Sequence, residues 1–496
     1  MINGDIMFGK RRLVLMLLAG FILFCGYMAL PDCLFSAESS NNKFDNQGVG
    51  HKGYIVGMSA VAPKTTERLP VTITVRPEET YQTIEGFGAS VAWYEIPFAR
   101  HPNREDIYYH AFQNLGLSIL RLKNGYRYQQ ADNFNPDLAE IVRNMYKYSD
   151  RNPKILMSLW SPPNELKSNN SNRGGTLKRD ETGEFMYDAF GKYWADSLKA
   201  YEKMGIVPDY ISIQNEPSYG QWESCFLYES ESADTAGYDK ALEAVSKALG
   251  HLKSHPKILA PEEHGIGYDI FQNFTRYFNK DLVYGYAYHL YHGESDKVND
   301  NHDPDLFIPH LESIAENYSD KPIFQTEYDR GDWFNTAWIM HNCLVYGNVS
   351  AYLYWALVWQ GDKPLIEIEN LGNPSQWTTS EGYILTPYYY AFRQYSKFIS
   401  PGWKRVSAGV DSDDFRVSAF INPAEDSLTV VVLNVSDKNE KISLNPVGFK
   451  IDGGDIVRTS ETEQGKYIGK YDAAIPLRLP ARSITTLAIK YKSKNF

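Results

Sequence analysis

Asp209-Tyr210-Ile211-Ser212-Ile213-Gln214-Asn215-Glu216-Pro217 is aromatic and β-branched up to Ile213 and polar from Gln214 on, and it stops at a proline. Tyr210, Ile211 and Ile213 suit a strand, and Pro217, which lacks an N–H, ends its ladder directly after Glu216. Lys321-Pro322-Ile323-Phe324-Gln325-Thr326-Glu327-Tyr328 repeats the design and delivers a second carboxylate, Glu327. Working outward, further β-like runs fall at residues 83–91, 117–122, 154–160, 257–261, 282–289 and 350–358, so the two quoted segments are the fourth and seventh of eight. Helical periodicity fills the intervals. In residues 185–204, for example, Tyr187, Phe190, Trp194, Leu198 and Tyr201 recur at spacings of three and four. Strands alternating with helices imply a parallel sheet, and eight such units predict an α/β fold, a (β/α)8 TIM barrel.

After Trp403 the texture changes to alternating runs at residues 415–421, 428–433 and 484–490, broken by Asp-Ser-Asp-Asp, Asn-Pro and Gly-Gly. This reads as an attached C-terminal antiparallel β-sandwich. Residues 71–76 alternate as well and are expected to add a strand to it. The expected domains are therefore a side-sandwich strand at 71–82, a catalytic barrel at 83–402 and the sandwich at 403–496. Ahead of them, Lys10, Arg11 and Arg12 precede an apolar run at residues 13–30. Residues 1–37 read as a secretion signal or, if uncleaved, an N-terminal anchor, and residues 38–70 as a flexible linker. Either reading puts the folded body outside the cytoplasm: secreted, periplasmic or at the cell surface.

The net charge of −11 argues against nucleic acid or an anionic membrane as the main partner. A membrane enters only through the anchor reading, and nothing indicates a protein partner. Of 4 cysteines, Cys225 and Cys343 lie beyond the signal region, too few for a disulfide framework. No cysteine or histidine pair has zinc-ligand spacing and no HExxH occurs, so neither a metal nor a cofactor is expected.

In such a barrel the site is built at the strand C-termini, where strands four and seven bring Glu216 and Glu327 face to face across the mouth. Paired carboxylates suit glycoside hydrolysis, with retention at a separation of roughly 5 Å and inversion across a wider gap. An acid at Glu216 must keep its proton near neutral pH, and the charge of Glu327 is the expected cause. Asn215 and Glu216 reach the mouth together only if the strand end twists or bulges. Trp160, Trp355 and Trp93 lie near strand ends and offer flat faces to sugar rings, with Trp355 the expected floor beside Glu327. Arg121 stands to orient Glu327 or to pair with Glu85. His289 and Tyr291 stand to contact substrate or hold the carboxylates, and Tyr219 and Trp222, on the loop after Glu216, suit the leaving-group side.

The string Asn-Glu-Pro with the later Glu327 resembles clan A glycoside hydrolases, and further motifs resemble glycoside hydrolase family 30. These are Thr83-Ile84-Glu85-Gly86-Phe87-Gly88-Ala89, Gly116-Leu117-Ser118-Ile119-Leu120-Arg121, Trp160-Ser161-Pro162-Pro163, His289-Leu290-Tyr291 and Tyr389-Tyr390-Ala391-Phe392-Arg393-Gln394-Tyr395-Ser396-Lys397-Phe398. The resemblance covers residues 71 to about 490. It implies Glu216 as acid/base, Glu327 as nucleophile and Asn215 as a hydrogen-bond partner of the sugar 2-hydroxyl. The loops at residues 161–178 and 215–225 look most like the xylanase branch, which implies endo-cleavage of a plant cell-wall β-glycan, foremost β-1,4-xylan. Endo-β-1,6-galactanase or glucanase and exo-acting glucosylceramidase-like activity are the alternatives within the family. A non-catalytic carbohydrate-binding protein is the alternative of another class. In each case the partner is a polysaccharide or oligosaccharide.

Overall fold

The chain enters the described structure, a computed structural model, at Leu69 and runs into a long strand, β1 (Val71–Thr83). Residues 69–127, 137–220, 222–253, 255–291, 303–361, 363–370 and 381–493 are described. The expected signal or anchor and nearly all of the expected linker lie outside them. No helix among the described residues is long and apolar enough to cross a membrane.

Eight parallel strands close the barrel in the order β2-β3-β4-β5-β6-β7-β8-β9. They are β2 (Gly86–Ser90), β3 (Ile119–Lys123), β4 (Lys154–Ser158), β5 (Tyr210–Ser212), β6 (Lys257–Glu263), β7 (Gly285–His289), β8 (Ile323–Glu327) and β9 (Val349–Tyr354). Each falls within or overlaps one of the eight β-like runs. Helix Tyr187–Lys203 buries Phe190, Trp194, Leu198 and Tyr201, the stripe its spacing predicts. The barrel interior holds Ile119, Leu156, Tyr210, Leu259, Ala287, Phe324, Ala351 and Leu353. At β2 the matching position is Gly88, where a Cβ would stand 2.5 Å from the Ile119 carbonyl oxygen and 2.9 Å from Leu353, so only glycine lets the ring close. Its N-terminal end is plugged by Glu85, which accepts from Lys154 at 2.6 Å and from the Tyr210 hydroxyl at 2.8 Å.

A short sheet follows β9, with β10 (Val358–Trp359), β11 (Ile366–Ile368) and β12 (Tyr383–Leu385). The sandwich then adds β13 (Lys404–Val410), β14 (Phe415–Ile421), β15 (Ser427–Asn434), β16 (Glu440–Pro446), β17 (Phe449–Ser460), β18 (Glu463–Lys470), β19 (Leu477–Leu479) and β20 (Ser483–Ser493). With β1 they form one nine-stranded sheet, ordered β18-β17-β20-β15-β14-β13-β1-β16-β19. β1 pairs antiparallel with β13 and parallel with β16, so the strand that precedes the barrel is built into the sheet that follows it.

Both faces of β15 are covered, which explains its unbroken apolar run. Leu428, Val430 and Val432 fill the sandwich interior beside Ile73 and Val75. Val431 and Leu433, with Phe420 and Ile484, join the barrel core. Burying four such side chains contributes on the order of 6–12 kcal/mol, comparable with the whole stability of a domain. Cutting the chain at Gly402 is therefore expected to leave residues 69–402 insoluble or non-cooperative, with β1 an unpaired edge. Solubility and a thermal melt of that fragment check this; a soluble, sharply melting barrel would contradict it.

Candidate active site

β5 ends at Ser212, and the next residues leave the ladder: the Asn215 N–H donates to the Leu159 carbonyl at 2.7 Å and the Glu216 N–H to the Glu262 carbonyl at 3.0 Å. Glu216 takes φ +46°, in the left-handed region that side chains other than glycine rarely adopt. That kink turns successive side chains, Asn215 and Glu216, into one mouth, as the reading of the strand end requires. Glu327 closes β8 on the far side, and an oxygen of each carboxylate lies within 4.8 Å of the other and of a His289 nitrogen.

Arg121 organises the Glu327 side of the mouth. Its guanidinium is buried at 0% exposure and pairs with Glu327. Nη2 donates to Asn215 Oδ1 at 2.6 Å and lies 3.1 Å from Glu262 Oε1. Ser158 ties both ends, accepting from Arg121 Nε and donating to Glu262 Oε1, each at 3.1 Å. Of the two partners expected for Arg121, Glu327 is the one it meets. Glu85 lies at the opposite end of the barrel and is taken by Lys154.

Burial is the first cause that raises the Glu216 carboxyl above its usual range, and the negative charge of Glu327 adds to it while His289 opposes it. The charge of Glu327, the expected cause, contributes, and desolvation of the Glu216 carboxyl beyond the end of β5 outweighs it. His289 Nδ1 sits 2.9 Å from Glu216 Oε1, and Nε2 lies 3.9 Å from Glu327 and 4.0 Å from Glu262. Burial disfavours its charged form, but these carboxylates outweigh burial and push its pKa up to about 9. Glu262, although buried, is held down to about 2 by Arg121 and His289.

The mouth opens into a cavity of about 610 Å³ lined by Trp93, Trp160, Asn172, Arg173, Asn215, Glu216, Tyr219, Trp222, Glu223, Ser224, Glu327, Trp355 and Trp359. Eight of the eleven residues singled out in the sequence line it. Arg121, His289 and Tyr291 stand behind the lining and act on it through the carboxylates and aromatic packing. Tyr291 packs 6.1 Å from the His289 ring and 5.5 Å from His264. Tyr219 and Trp222, expected together, both line the cavity but take different neighbours. Tyr219 stacks on His264 at 4.1 Å beside β6 and β7, whereas Trp222 reaches Arg173, on the loop after β4, at 6.0 Å.

Sequence reading missed Glu262, Glu263, His264, Trp359 and Glu223. The first three follow Pro261, where the β6 run was expected to stop, yet β6 continues to Glu263. Their signal was available: a strand turning charged at its end, the same design as the two quoted segments. Glu263 is fully buried and accepts from the Ser218 N–H and hydroxyl at 2.9 and 2.8 Å, which fixes the turn directly after Glu216. Burial pushes its carboxyl up to about 7.

The Glycosyl hydrolase family 30 TIM-barrel domain model matches residues 129–239, and the Glycosyl hydrolase family 30 beta sandwich domain model matches residues 402–487. Putative glucosylceramidase 1 of Caenorhabditis elegans is 24% identical over 70% of this chain and 65% of its own length. Glucuronoxylanase XynC of Bacillus subtilis is 20% identical over 86% and 94%. This chain spans 65% and 57% of two of the curated nematode relatives. The catalytic domain of xylanase C from Talaromyces cellulolyticus superposes with a TM-score of 0.67 at 20% identity, covering 84% of this chain and 99% of that one. The endo-beta1,6-glucanase BT3312 superposes at 0.64 and 18%, over 85% and 95%. The barrel and sandwich models thus match in order on the two parts of the fold that bear their names, and the chain carries a glycoside hydrolase family 30 TIM-barrel domain followed by a family 30 beta sandwich domain.

Proposed function

We propose that the protein is a retaining β-glycoside hydrolase. The observation that carries this is the pair Glu216 and Glu327 on opposite strand ends with oxygens within 4.8 Å, a spacing that favours double displacement over water-mediated inversion. Glu327, aimed by Arg121, attacks the anomeric carbon while Glu216 gives its proton to the leaving oxygen, forming a glycosyl-enzyme. Glu216 then takes a proton from water, which hydrolyses that ester. Asn215, fixed by Arg121, is set to bind the hydroxyl next to the anomeric carbon as charge develops there.

The sugar is a β-linked xylosyl or glucosyl unit. Xylanases and a glucuronoxylanase among the relatives favour xylan, the substrate expected from the loops, while a glucanase and glucosylceramidases favour glucose. A panel of xylan, β-1,6-glucan, galactan and glucosylceramide, assayed for released sugar, separates these. Proton NMR of the first product should show the β-anomer before mutarotation. An α-anomer would overturn retention, and binding without new reducing ends would favour a carbohydrate-binding protein.

A further inference from the structure

Three indoles crowd the cavity from the ends of β9, β2 and β4, while Tyr219 and His264 follow β5 and β6. Trp93 lies 4.9 Å from Trp160 and 5.6 Å from Trp355, and those two are 6.0 Å apart. Carbons in van der Waals contact sit about 3.5–4.0 Å apart, so a sugar sandwiched between two of these rings would need them separated by about 7–8 Å. No sugar fits between any two of them.

Trp93 is also held in place. Its backbone has φ +66°, a region that a bulky residue occupies only when its surroundings impose it. Its Nε1–H donates to Glu223 Oε1 at 3.3 Å, and the Lys123 ammonium sits 4.7 Å over its ring while pairing with Glu223. Trp93 follows β2, Lys123 ends β3 and Glu223 belongs to the loop after β5, three strands from β2. The contact therefore ties together loops from across the mouth.

A glycosidase places its leaving group on the acid's side and the rest of the non-reducing chain on the other. Glu216, Tyr219 and His264 mark the first side here. We propose that the site is a pocket for the single terminal sugar at the non-reducing end of a β-linked chain, and that Trp93, braced by Glu223 and Lys123, is the residue that closes it. The protein is thereby exo-acting rather than endo-acting. This rests on the retaining β-glycosidase reading.

The test uses the full folded chain with p-nitrophenyl β-xyloside and β-glucoside, and with xylo- and gentio-tetraose, each free or 4-O-benzylated on its non-reducing terminal sugar. The expected early product of the free tetraoses is monosaccharide, and the benzyl cap should slow cleavage by roughly 100-fold or more, the size of effect produced by displacing a reacting sugar by about 1 Å. Trp93→Ala should restore cleavage of the capped tetraose toward the uncapped rate and yield di- and trisaccharides early. Should that variant not fold, the capped and uncapped pair on the wild type decides alone. Mixed-length early products, or equal rates on capped and free tetraoses, would overturn the pocket while leaving the retaining glycosidase standing. No hydrolysis of any probe would overturn both.

Discussion

Glu327→Ala is expected to lower kcat by on the order of 10⁴- to 10⁶-fold, the range seen when a member of a covalent catalytic unit is lost. Azide should restore turnover and give a glycosyl azide of inverted, α configuration. The surroundings explain why an anion would enter: the Arg121 guanidinium, now facing an empty space, remains beside Asn215 and Glu262 and attracts a negative charge into the vacated position. Attack from there is one displacement where the proposed mechanism makes two. The variant should still fold, because Arg121 keeps its 3.1 Å contact with Glu262 and is not left as a lone buried charge. Measurement is by rate with and without azide and by NMR of the product. A β-configured azide, or activity near that of the wild type, removes Glu327 from the mechanism.

The second large effect belongs to Glu216→Ala and depends on the substrate. Loss of a general acid costs roughly 10²- to 10⁴-fold where the leaving alkoxide needs its proton, as in unactivated oligosaccharides. With 2,4-dinitrophenyl glycosides the first step should fall by less than about tenfold, because that leaving group departs unprotonated. The pH profile supplies an independent readout. Burial raises the Glu216 carboxyl, so its proton is present below that raised value and lost as pH rises through it. Wild-type kcat/KM should accordingly decline on the alkaline side, and the variant should lack that decline on activated substrates. Equal losses on both substrate classes, or an unchanged alkaline limb, would count against the assignment.

Strand ends that turn polar at Glu216 and Glu327 were visible because alternation of apolar strand and amphipathic helix is a local property, and it fixes which end of each strand faces the site. The eight barrel strands, the sandwich texture after Trp403 and the pairing potential of residues 71–76 follow from the same local patterns of period 2 and 3.6. The sequence also held the polar end of β6, but Pro261 read as a stop and hid Glu262, Glu263 and His264.

Other features exist only once the chain is folded. Whether Asn215 and Glu216 share the mouth turns on one left-handed residue, a backbone choice enforced by contacts with β4 and β6 rather than by side-chain type. The proton on Glu216 is set mainly by burial, which depends on everything packed around the acid and is invisible to a reading of neighbours. Trp93 closes the cavity through Glu223, 130 positions away in the chain. Periodicity reports which face of an element is buried, so it determined the architecture and the two carboxylates. Distances between loops depend on how eight strands twist into a ring, and that is why the charge network around Arg121 and His289, and the shape of the pocket, were decided by the tertiary structure alone.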